Sequence, residues 1–106
     1  MSKSPNAILC EAGDAQAIVI DAANVATATL VIGEEYRIFG PANCITVIGY
    51  ADPLTVGNIV GVIGPGGWLD HKATAVSLLV SAVDAKAANG TGLLFTAYAV
   101  KISDNA

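Results

Sequence analysis

At 106 residues the chain can close one hydrophobic core but not two, and its composition of 54% hydrophobic against 13% charged residues exceeds what so small an interior holds. The net charge is −4, and the basic residues Lys3, Arg37, Lys72, Lys86 and Lys101 are scattered, which excludes the clustered positive face that nucleic-acid binding requires. The longest uncharged run, Pro53 to Leu69, is broken by Gly and Pro throughout; a spanning helix needs roughly 20 apolar residues in one piece, so no membrane segment is expected and the surplus apolar surface is assigned to contacts with other chains.

In chain order, residues 1–6 and 103–106 are polar and read as short arms on a single domain, 1–106. The first six residues lack the charged stretch and apolar run of a secretory signal, so synthesis in a cytoplasm is expected. Between the arms, runs rich in Val, Ile and Thr are punctuated by Gly, Pro, Asn and Asp. That spacing predicts an all-β domain, a small antiparallel β-sandwich or barrel with short Gly/Pro-rich turns. Strands are expected at 7–10, 16–21, 25–32, 35–39, 44–50, 57–63, 74–83 and 92–102. The Ala-rich segment 14–28 also reads as helix, but Ile18, Val19, Ile20 and Val25 favour strand.

Val-Ile-Gly occurs at 31–33, 47–49 and 62–64 without repeating flanks; it reads as three strands that each end in a turn glycine. In 25–32 the alternation places Ala26, Ala28, Leu30 and Ile32 on the core face, opposite Val25, Thr27, Thr29 and Val31. Strands 74–83 and 92–102 are apolar on both faces. They are expected to pair with each other through the Asn89-Gly90 turn, with one helical turn at Asp84 to Ala88. Strands apolar on both faces are normally covered on both. The second cover is assigned to another chain, with Leu79, Val83, Tyr98, Val100 and Trp68 as interface candidates and a crossing of the arm 1–6 to a neighbour.

The stretch Gly61 to Leu69, GVIGPGGWL, superficially resembles a phosphate-binding loop. A P-loop needs Lys and Ser/Thr after its last glycine, but Trp68 and Leu69 stand there. Leu69 also replaces the third glycine of a dinucleotide fingerprint. The stretch is read as a bend in which Pro65 presets φ and Gly66 or Gly67 takes positive φ. His71, the only histidine, cannot form a metal site of three or four ligands with Asp70 alone, and it is read as a solvated turn residue. Glu34 and Glu35 are adjacent, so on a strand they point apart and cannot share one bond. Asp14, Asp21 and Asp52 read as turn residues. Cys10 and Cys44 lack basic neighbours that would activate a thiol; free, reduced thiols are expected, a Cys10–Cys44 bridge being the alternative. No catalytic residue, cofactor or metal is assigned, and no enzyme is expected.

The stretch EEYRIFGPANCITVIGYADP, the Gly/Pro bend before Trp68 and the ending GTGLLFTAYAVKI resemble the small virion structural proteins of tailed bacteriophages. These are short β-sandwich proteins that decorate or cement the capsid. The resemblance runs from about Tyr36 to Ile102. It implies a homo-oligomer, commonly a trimer, seated on a larger assembly such as a major capsid protein, located in the virion and without catalysis. The alternative reading is a small glycan- or peptide-binding module that uses Trp68 with Tyr36, Tyr50 or Tyr98 as a stacking platform.

Overall fold

The computed structural model describes residues 13–21, 25–42, 44–52, 54–83 and 94–102. Among the described residues there are eight strands: β1 (Ala15–Asp21), β2 (Ala26–Thr29), β3 (Glu35–Phe39), β4 (Ile45–Gly49), β5 (Ile59–Ile63), β6 (Trp68–Lys72), β7 (Ser77–Val83) and β8 (Leu94–Lys101). They form two four-stranded sheets, β1-β8-β3-β6 (sheet A) and β2-β7-β4-β5 (sheet B), with every pairing antiparallel. Both sheets are open, so the fold is the expected sandwich and not a barrel. β1 pairs β8, β2 pairs β7, β3 pairs β6 and β4 pairs β5. This is one long hairpin of strands rolled up on itself, the topology of a jelly roll.

The core is the space between the sheets. Sheet A contributes Ile18, Ile20, Tyr36, Ile38, Phe95, Ala97 and Ala99; sheet B contributes Ala28, Ile48, Ile63, Leu78 and Val80. Each follows from period-2 alternation. Gly49 and Gly61 let neighbours close on the backbone. A Cβ at Gly49 would lie 2.9 Å from the Asn58 carbonyl oxygen, and one at Gly61 would lie 2.7 Å from Leu69 Cδ2. At one flank β1 packs beside β2. There the Gln16 amide donates to the Thr29 carbonyl oxygen (2.9 Å) and accepts from the Thr29 N–H (3.0 Å). The side chain thereby does for the edge of β2 what another strand would do.

Several expectations are corrected. β7 and β8 do not pair; they lie in different sheets, each central in its own. Two strands apolar on both faces suit central positions, and a turn signal between them does not say whether the chain returns to the same sheet. Val31-Ile32-Gly33 is not a strand end: β2 stops at Thr29, Ile32 is 60% exposed, and residues 32–33 form a turn. β6 was not anticipated at all. Asp21 is the last residue of β1 rather than a turn residue. The expected strand 7–10, the helical turn 84–88 and both arms lie outside the described residues.

Candidate functional site

The Gly61–Leu69 stretch does form a bend. Pro65 and Gly66 make its turn, and Gly66 has φ +70°. The Gly67 N–H donates to the Gly64 carbonyl at 2.9 Å, and the Gly66 N–H donates to the Pro41 carbonyl at 2.8 Å. An anion-binding loop presents its amides outward; here these two are spent inside the chain. Among the described residues no group of three or more His, Cys, Asp and Glu is placed to hold a metal ion, and no helix is long and apolar enough to cross a membrane.

His71 is a half-buried residue of β6, not a solvated turn residue. Its partner Leu69 also faces inward, while Trp68, Asp70 and Lys72 point out, as strand alternation requires. Burial lowers the His71 pKa and favours the neutral ring. Nε2 lies 2.5 Å from Tyr50 Oη, which also accepts from the Thr74 N–H at 3.2 Å. With Thr74 donating, the tyrosine O–H is left to donate to the imidazole. The pair joins β6 to the end of β4. Tyr36 is likewise committed inward, its Oη accepting from the Val31 N–H at 2.9 Å. Neither Tyr36 nor Tyr50 can serve an external stacking platform. Cys44 is buried with a free thiol whose pKa is raised by desolvation, the opposite of an activated nucleophile; Cys10 lies outside the described residues.

The outer faces of the two sheets differ in chemistry. Sheet A holds all the charged strand residues: Asp21, Glu35, Arg37, Asp70, Lys72 and Lys101. On its outer face Arg37 reaches across to Asp70 with two bonds, Nε–Oδ1 at 2.7 Å and Nη2–Oδ2 at 3.0 Å. That hydrogen bonding raises the Arg37 pKa against an opposing desolvation. The guanidinium also stacks 3.8 Å from the centroid of Trp68. Phe39 stands opposite both Trp68 and Tyr98, so the three aromatics form one row across β6, β3 and β8. Phe39 was not singled out from the sequence, although its parity with Arg37 in EYRIF marks it as outward.

Sheet B's four strands, ATAT, SLLVSAV, ITVIG and IVGVI, contain no charged residue. Its outer face is uncharged, with Ile45 and Val47 from β4, Leu79 and Val83 from β7, and Val60 and Val62 from β5 set beside the hydroxyls of Thr27, Thr29, Ser77 and Ser81. Val60 and Val62 are 51% and 56% exposed. The five interface candidates therefore fall on two opposite surfaces, with Leu79 and Val83 on sheet B, and Trp68, Tyr98 and Val100 on sheet A. Val100 is only 7% exposed; it stands between Ala15 and Arg37 and is already covered within the chain.

No protein family, curated protein or solved structure was found that matches this chain.

Proposed function

We propose that this protein is a non-enzymatic assembly subunit that docks through the outer face of sheet B, acting as a virion component that decorates or stabilises a bacteriophage capsid. The observation that carries this reading is the segregation of charge. A sheet exposed to water on one side normally alternates apolar and polar residues. Sheet A does so, while sheet B presents Val, Ile and Leu with Ser and Thr and no charge. Contiguous apolar patches of a few hundred Å² mark interaction sites, and cores of protein interfaces are depleted in charge.

The size of the face indicates the kind of docking. Four strands about 4.8 Å apart and about five residues long give a footprint of roughly 300 Å². A stable pairwise interface takes about 800 Å² per partner. One such face makes a weak contact alone. A homo-oligomer presenting several faces to a repeating lattice gains strength through effective concentration without any new contact. That is the requirement of a decoration protein on a capsid. Jelly rolls occur in both viral capsid and lectin domains, so the fold alone does not decide the function.

The test is Val60→Lys combined with Val62→Lys. Both side chains project outward from the edge strand β5, so the variant should keep its β-rich circular dichroism and melt within a few degrees of wild type. It should lose co-sedimentation with the particle. Unchanged assembly would remove sheet B from the account.

A further inference from the structure

The outer face of sheet A carries a second, different kind of surface. Tyr98, Phe39 and Trp68 lie on one cross-strand row. Two inter-strand steps of about 4.8 Å make that row roughly 10 Å long, close to the length of a disaccharide. Tyr98 is 49% exposed; Trp68 and Phe39 are half-buried. Arg37 points away from the core, yet only 5% of its surface is exposed, and the Trp68 ring is among the groups that cover it. The indole is thus held from beneath by a cation that Asp70 fixes at two points. A ring held this way has already lost the rotamer freedom that binding would otherwise take from it.

The rows beside the aromatics are charged. Arg37 faces Asp70 across β3 and β6, and Glu35 faces Lys72 one row further out. Charges in the middle of a face disfavour a dry protein interface. They suit a ligand that brings its own hydroxyl donors and acceptors to a few placed polar groups beside aromatic rings. The surface is an open sheet rather than a cleft, which fits a chain molecule lying across the strands.

We propose that the Trp68–Phe39–Tyr98 row is a carbohydrate-binding platform. The apolar faces of successive pyranose rings stack on Trp68 and Tyr98 with Phe39 between them, and ring hydroxyls bond to Asp70 in the adjacent row. The site is on the sheet opposite the proposed docking face, so the protein binds glycan on one side while seated on its assembly by the other.

Trp68 is the only tryptophan, so its fluorescence reports directly on the site. Cellohexaose, chitohexaose and maltohexaose are titrated separately into the full-length protein. At least one should give a saturable change in Trp68 emission, and Tyr98→Ala should weaken that binding at least about tenfold with unaltered circular dichroism. The Val60→Lys, Val62→Lys variant should bind the sugar as wild type does, which separates this site from sheet B. No response to any of the three sugars overturns the proposal. So does a response that Tyr98→Ala leaves intact, or an emission change that accompanies protein association instead of sugar; the last would make sheet A a protein interface.

Discussion

Asp70→Asn tests whether the outer face of sheet A is built around a dehydrated cation. The change keeps the size of the side chain and removes the charge opposite Arg37. Arg37 is 5% exposed and depends on Asp70 for two bonds, at 2.7 and 3.0 Å. Removing one partner of a fully buried pair costs about 3–5 kcal/mol. The Asp70 side chain is 33% exposed, so water reaches the pair and the upper figure does not apply; a loss of about 2 kcal/mol is expected. In a domain of this length about 1 kcal/mol moves Tm by about 4–8 °C, so the midpoint should fall by about 8–16 °C. The double variant Arg37→Met, Asp70→Leu removes both charges and keeps the volume. It should return to within about 1 kcal/mol of wild type. Thermal and urea unfolding followed by far-UV circular dichroism measures both. A wild-type midpoint for Asp70→Asn, or a double variant as unstable as the summed Asp70→Leu and Arg37→Met losses, would refute the reasoning.

Gly49→Ala should lower stability by more than about 1 kcal/mol, because its Cβ would sit 2.9 Å from the Asn58 carbonyl oxygen and 2.6 Å from Leu54 Cδ2; chemical denaturation measures it. Thr46→Val should raise the unfolding free energy by about 1 kcal/mol in the same assay, since the Thr46 hydroxyl is fully buried and has no hydrogen-bond partner among the described residues. Stability should also fall as pH drops below about 6.5. Burial depresses the folded pKa of His71, so the unfolded chain takes up the proton first. The contribution is complete above the unfolded pKa and is lost as pH falls toward the folded one. Tm measured against pH should show this slope in wild type and a weaker one in His71→Gln.

The sandwich was legible in the runs rich in Val, Ile and Thr punctuated by turn residues. Alternation named the core face only in 25–32, where Ala28 and Leu30 are buried as the pattern puts them and Ile32, beyond the end of β2, is exposed. β6 was missed because WLDHK has a strand's alternation but not a strand's composition. Its inward residues are Leu69 and a histidine satisfied by Tyr50, and its polar residues suit an edge, where charge guards against stray pairing. Sheet membership was invisible for a different reason. Alternation reports inside against outside, not which layer a strand joins, so β7 and β8 read as partners. For the same reason the interface candidates could not be divided between two surfaces, and Val100 could not be distinguished from Tyr98. Phe39 joined the aromatic row only once the register of β3 against β6 and β8 was known.

The central claim, that the charge-free face of sheet B seats this protein on a larger assembly, is tested most directly by native mass determination across the micromolar range, followed by electron microscopy of the particle that co-purifies. The account predicts a homo-oligomer that attaches at regularly repeated positions with sheet B turned toward the underlying shell. A monodisperse monomer that attaches to no larger particle would contradict it.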